Sequence, residues 1–82
     1  MAEQKTVLTP IPGVFYRKPS PDKDVYIKEG SPVKVGDVIG LVEVMKNFYE
    51  IKAENEGVLA QFFVEDEDLL DAGQEIAVII EQ

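Results

Sequence analysis

The sequence predicts an all-β domain built from two similar halves. Three observations carry that prediction. Apolar and polar residues alternate over short runs, the pattern of strands with one buried face. Glycines and prolines are dispersed between those runs, as many short strands joined by tight turns require. A spacing of 3.6 residues never persists over a helical length, so no amphipathic helix is expected.

Thr6-Val7-Leu8-Thr9 reads as the first strand, and Pro10-Ile11-Pro12-Gly13 breaks it. Val14-Phe15-Tyr16 is the second. Arg17 to Asp24 is polar and stiffened by Pro19 and Pro21, so it reads as a protruding loop. Val25-Tyr26-Ile27 is apolar again, Lys28 to Pro32 turns, and Val33-Lys34-Val35 leads into a turn at Gly36-Asp37. Val38-Ile39-Gly40-Leu41-Val42 is apolar. Tyr49, Ile51 and Ala53 then alternate with Glu50, Lys52 and Glu54. Two such runs around a break read as a β-hairpin. The break is Met45-Lys46-Asn47, which holds Lys46 at a tip in water beside an exposed methionine. Tyr49 and Ile51 are assigned to the core, whereas Phe48 falls on the polar face of its strand. Gly57 closes a turn where positive φ is cheap. Val58, Ala60, Phe62 and Val64 alternate through the next strand, and Glu65 to Asp68 form an acidic turn. Leu69-Leu70 is a brief strand, Asp71 to Gln74 a turn, and Ile76 to Ile80 the last strand.

An internal repeat runs through these elements. Val25-Tyr26-Ile27 matches Phe62-Phe63-Val64, Gly36 matches Gly73, and Ile39 matches Ile76, each pair 37 residues apart. Gly13-Val14 matches Gly57-Val58 at 44. The first half therefore carries an insertion between Val14 and Val25, where the Pro-Ser-Pro loop lies, and the second half folds without a counterpart. The hairpin of Lys46 bridges the halves of a symmetric sandwich.

Composition limits the function. The 82 residues make one domain, 1–82, and 45% hydrophobic content supports one compact core. Cysteine and histidine are absent, which removes thiol nucleophiles, Ser-His and Cys-His pairs and ordinary zinc sites. No glycine-rich phosphate loop is present. A catalytic centre of its own is not expected. The net charge of −8 disfavours nucleic acid, which needs a basic patch. No run approaches the ~20 apolar residues of a membrane span. Met1-Ala2-Glu3-Gln4-Lys5 lacks a signal-peptide apolar region, so a cytoplasmic location is expected.

At Val44-Met45-Lys46-Asn47 the chain resembles the biotinyl/lipoyl carrier domains, most of all the biotin carboxyl carrier type of acetyl-CoA carboxylase. Their motif is Ala/Val-Met-Lys-Met, and the resemblance runs from about Thr9 to Glu81. It implies a flattened β-barrel, a barrel-sandwich hybrid of two four-stranded antiparallel sheets with quasi-twofold symmetry. It implies covalent biotin on Lys46, with Val44, Met45 and Asn47 serving ligase recognition and the turn. Phe15 to Asp22 resembles the loop called the thumb in the acetyl-CoA carboxylase type, which places Lys18, Pro19, Ser20 and Pro21 in a thumb at about 17–24. Two positions depart from the family. Asn47 stands where methionine is usual, and Lys18 where a hydroxyl residue often precedes Pro-Ser-Pro, so a hydroxyl contact from that position is not carried over.

The function so implied is a carrier in fatty acid synthesis, which moves a carboxyl group from a biotin carboxylase to a carboxyltransferase. A biotin protein ligase loads it. It is a monomeric domain, a free-standing short carrier or one excised from a longer subunit, and it works without nucleic acid or membrane. Lysine suits the role because its long flexible stem ends in an acylatable amine. Two other readings are a lipoyl carrier of a 2-oxoacid dehydrogenase complex and an unmodified barrel-sandwich interaction module. Lipoyl domains typically carry Asp-Lys-Ala at the tip, which Met45-Lys46-Asn47 does not match.

Overall fold

The structure, a computed structural model, describes residues 3–81. Met1, Ala2 and Gln82, which the sequence reading counts in the domain 1–82 and in part in the N-terminal segment, lie outside the described residues. Eight strands form: β1 (Gln4–Leu8), β2 (Gly13–Tyr16), β3 (Ser31–Val33), β4 (Val38–Val44), β5 (Asn47–Lys52), β6 (Gly57–Phe62), β7 (Leu69–Leu70) and β8 (Glu75–Ile80). They make two four-stranded antiparallel sheets, in the orders β1-β8-β6-β3 and β5-β4-β2-β7. There is no helix among the described residues, hence none long and apolar enough to cross a membrane. The two sheets stack as the flattened, unclosed sandwich that the repeat and the resemblance imply.

The repeat is visible in the backbone itself. Advancing β1 and β2 by 44 residues, and β3 and β4 by 37, turns one sheet order into the other. The turn bonds follow the same rule. Gly36 N–H donates to the Ala53 carbonyl at 2.8 Å, and Gly73 N–H to the Thr9 carbonyl at 2.7 Å. Ala53 N–H donates to Asp37 O, as Thr9 N–H does to Gln74 O. Gly36 and Gly73 both take positive φ, 94° and 83°. An extra residue bulges β4 at Ile39 against β5 and β8 at Ile76 against β1, and both isoleucines are fully buried. A bulge turns a side chain that strict alternation would send outward. Here it adds one buried isoleucine to each central strand.

The core lies between the sheets. Phe15, Ile39, Val42, Leu59, Ile76 and Ile79 are among its fully buried members, with the Phe15 and Phe62 rings 6.2 Å apart. Each such side chain contributes about 1.5–3 kcal/mol by leaving water, against the entropy of ordering the chain. Gly13 and Gly57 occupy equivalent crowded places. A Cβ on Gly13 would overlap the carbonyl oxygen of Glu43, and one on Gly57 the carbonyl oxygen of Ile80. Glu43 and Ile80 are themselves equivalent in the repeat.

Four sequence expectations change. Gly57 does not take positive φ; it opens β6, and its lack of a Cβ serves the close approach to Ile80 instead. Strict alternation through Val58, Ala60, Phe62 and Val64 does not hold. The register of β6 against β8 shifts between Leu59 and Gln61, so Leu59 is buried while Val58 and Ala60 are half-exposed. Past the bulge, Phe62 and Val64 return to the core. Tyr49 is not core: it is 48% exposed, because β5 is an edge strand and only Ile51, farther from the tip, reaches the buried cluster. Finally, the insertion is not independent of the core. The Arg17 guanidinium carbon sits 4.2 Å from the Phe62 ring centroid, and its Nη2 donates to the Ile27 carbonyl. Tyr26 N–H donates to Arg17 O and Arg17 N–H to Asp66 Oδ1, which pins both ends of the loop. Boundaries also move slightly: Ser31 and Pro32, read as turn, begin β3, an edge strand where a missing N–H is tolerated.

Two stability outcomes follow from this packing. Gly13→Ala and Gly57→Ala should each lower the unfolding free energy by about 3 kcal/mol, since a backbone carbonyl cannot yield as a side chain can. Paired urea titrations check this, and the two equivalent sites should fall together. Arg17→Ala should cost about 1–2 kcal/mol, the range of a partly desolvated cation–π contact. It should also expose the 17–27 loop to limited proteolysis, while Lys18→Ala should do neither.

Candidate functional site

The loop between β4 and β5 has two residues, because Val44 pairs directly with Asn47. Antiparallel strands with their right-handed twist favour a type I′ turn at such a connection, with positive φ at both central residues. Met45 and Lys46 occupy those positions, with φ of 51° and 67°. The usual occupants of such a turn are asparagine, aspartate and glycine. Each residue with a full side chain there costs about 1–2 kcal/mol. The cost is met by the ladder of β4 and β5 behind the turn, and Asn47 Nδ2 donates to Met45 O at 3.4 Å. Strain of this kind collects at functional positions. Met45 is 88% exposed, and Lys46 is exposed beside it with no ion-pair partner among the described residues. Val44 is half-buried against the core, so of the motif residues it alone anchors the tip. The tip is one residue shorter than the sequence reading, since Asn47 already belongs to β5.

Next to the tip, the outward face of the β5-β4-β2-β7 sheet carries a connected set of side chains. Tyr16 Oη donates to Glu43 Oε1 at 3.1 Å, and the Tyr16 ring lies 6.1 Å from that of Phe48. Accepting that hydrogen bond, the Glu43 carboxylate raises the Tyr16 phenol above its ordinary range, with desolvation adding to the shift. The 17–24 loop arches over this face. Lys18, Pro19, Ser20 and Pro21 form one wall of a groove of about 530 Å³, with Tyr16, Leu41 and Phe48 as its floor and Asp66 and Glu67 at its edge. Ser20 Oγ donates to Asp22 Oδ1 at 2.6 Å within the loop, which draws the Asp22 carboxyl below its ordinary range. The four loop residues named from sequence therefore lie together over Phe48, two positions from Lys46. Leu41 and Arg17 carry no role in the sequence reading, which takes Tyr16 as core or thumb-base packing and Glu43 as a solvated charge or, second, a docking residue, and does not join the two. Only the alternation of β2 against β4 could have brought Tyr16 and Glu43 to one face, and that pairing spans the insertion. Among the described residues no group of three or more acidic side chains is placed to hold a metal.

Comparison with known proteins agrees with this geometry. A family model described as "Biotin-requiring enzyme" matches residues 5–79. The biotin carboxyl carrier protein of acetyl-CoA carboxylase from Pyropia yezoensis is 36% identical over 72 residues, which cover 88% of this chain and 46% of that protein. Its counterpart in Haemophilus influenzae is 36% identical over 73 residues, 89% of this chain and 47% of that protein. This chain thus spans just under half the length of these relatives. The crystal structure of urea carboxylase from Kluyveromyces lactis superposes with a TM-score of 0.77 at 22% identity, over 94% of this chain and 6% of that one, a likeness of fold. With a matching model across nearly all its length, the chain belongs to the biotin-requiring enzyme family of biotinyl/lipoyl domains.

Proposed function

We propose that this domain is a biotin carboxyl carrier, with biotin held as an amide on Lys46. The observation that carries the reading is the tip itself: an exposed lysine on a strained two-residue turn, backed by a methionine that solubility does not explain. The groove beside it suits the group. Its floor of Tyr16, Leu41 and Phe48 offers apolar contact, while at the wall the Lys18 ammonium offers donors and the Ser20 hydroxyl, its proton given to Asp22, offers an acceptor. When bound, biotin supplies the nitrogen that accepts and gives up a carboxyl group. The chain supplies attachment, reach and docking.

Each task falls to a different part. The rigid sandwich holds Lys46 clear of its own surface, so the amine can enter a partner's active site. The lysine stem tethers the group and raises its local concentration at whichever partner the domain docks against. The 17–24 loop shields Leu41 and Tyr16 of the floor and leaves Phe48 exposed. The partners in this reading are a biotin carboxylase, a carboxyltransferase of acetyl-CoA type, and a biotin protein ligase, in the cytoplasm. Names of relatives that this chain matches over most of its own length support the first two.

Intact mass after incubation with biotin ligase, biotin and ATP tests the assignment. Wild-type protein should gain one biotin increment. Lys46→Arg should fold with an unchanged melting temperature and gain none. A lipoyl increment, no increment in wild type, or a biotin retained by the Lys46→Arg protein would overturn it.

The place of the amine on the turn should matter as much as its presence. The double variant Lys46→Asn with Asn47→Lys keeps composition and charge, and gives the left-handed position a residue that tolerates it. It moves the amine from the turn into the first residue of β5. Misplacement by ~1 Å can cost on the order of a hundredfold in rate. Its biotinylation rate should therefore fall by about two orders of magnitude while the melting temperature holds. A time course of avidin-reactive product reads the difference.

A further inference from the structure

The repeat provides an internal reference for what the fold requires. Across the outward face of one sheet, next to the tip, the register aligns Phe48, Glu43, Val14 and Leu69 in a single row over β5, β4, β2 and β7. Phe48 is 58% exposed and Leu69 78%, with Met45 beyond them at the tip. Three strand spacings separate the ends of the row, about 14 Å. The equivalent positions on the other sheet are Gln4 for Phe48 and Pro32 for Leu69. The fold therefore does not need large apolar side chains at these places.

Charge breaks the symmetry on the same side. The turn before β7 reads Glu65-Asp66-Glu67-Asp68, whereas its equivalent before β3 reads Lys28-Glu29-Gly30-Ser31. The backbone bonds of the two turns match: Glu67 N–H donates to Phe15 O, and Gly30 N–H to Leu59 O. Gly30 takes a φ of 87° without strain, yet Glu67 holds a φ of 72° with a full side chain. A glutamate held where the equivalent turn uses glycine is local strain of the kind that collects at functional positions. Glu43, in the row itself, has isoleucine as its equivalent at Ile80.

We infer that this face, from Met45 and Phe48 to Leu69 with the 65–68 turn as its acidic rim, is the docking surface for the enzyme that acylates Lys46. The partner's active-site mouth would carry an apolar groove edged with lysine and arginine. The inference rests on Lys46 being the modified residue. Reach selects this partner over those that act later. Before modification only the four-carbon stem of lysine extends from the tip, so the acylating enzyme must close over the residues around it. Later partners meet a group on a longer arm and can stand farther off. Complementary charge at the rim orients the approach, and the apolar row excludes water at its centre.

The test follows biotinylation by purified biotin ligase at varied carrier concentration and salt. Phe48→Ser and Leu69→Ser should each raise KM about tenfold with kcat within twofold, the signature of lost docking without lost chemistry. Glu65→Gln combined with Glu67→Gln should flatten the salt dependence of kcat/KM. Leu8→Ser on β1 and Phe63→Ser just past β6 remove exposed apolar groups outside this row and should behave as wild type. Melting temperatures confirm that all variants are folded, and the charge variants stand independently should a serine variant unfold. Unchanged KM for Phe48→Ser and Leu69→Ser, or an equal rise for Leu8→Ser and Phe63→Ser, would overturn the docking face while leaving Lys46 as the site. Wild-type protein that is never modified would instead remove the Lys46 reading itself.

Discussion

The close passage of Gly13 and Gly57 against the carbonyls of Glu43 and Ile80 is the constraint on which the rest depends. At each point the absence of one Cβ lets a strand start flush against its neighbour's backbone. From Gly13 onward β2 runs beside β4 and places Phe15 opposite Val42 in the core. From Gly57 onward β6 does the same beside β8. With both contacts made, two small sheets share one interior and neither half is complete without the other. A domain of this length buries a modest share of its surface, so the loss of either contact removes stability it cannot spare.

That rigidity is what the tip draws on. A type I′ turn built from methionine and lysine is disfavoured in isolation, and only a ladder already fixed in register holds it. Val44, packed on the core, connects the two. The same frame explains how one surface can be specialised while its partner stays plain. Because the core needs only the inward residues, outward positions such as Phe48, Leu69 and Glu67 are free to diverge from Gln4, Pro32 and Gly30.

Much of this architecture was legible in the sequence, and the reasons are local. Turn glycines at Gly36 and Gly73, the insertion between Val14 and Val25, and the break at Met45-Lys46 announce themselves through φ preference and spacing. What escaped was tertiary. A bulge at Ala60 reverses which side chains of β6 face inward, and nothing in the alternation Val58, Ala60, Phe62 signals it. Tyr49 has the inward parity of a core residue, but its exposure depends on β5 lying at a sheet edge. Arg17 reads as a solvated loop charge, and it stacks on Phe62 only because strands 45 residues apart in sequence meet. The pairing of Tyr16 with Glu43 is hidden in the same way, by the loop between them.

The twofold relation also sets residues 3 and 81 opposite the hairpin turn. Where one half has the hairpin turn, the other has residues 3 and 81, joined by the Glu81 N–H to the Glu3 carbonyl at 2.8 Å. Phe62, at the end of β6 away from that junction, lies beside Phe15 near the tip. Lys46 and the junction thus sit at opposite ends of the sandwich. Any leash fastened at residue 3 or 81 holds the domain by its back, and the lysine leads as the body pivots.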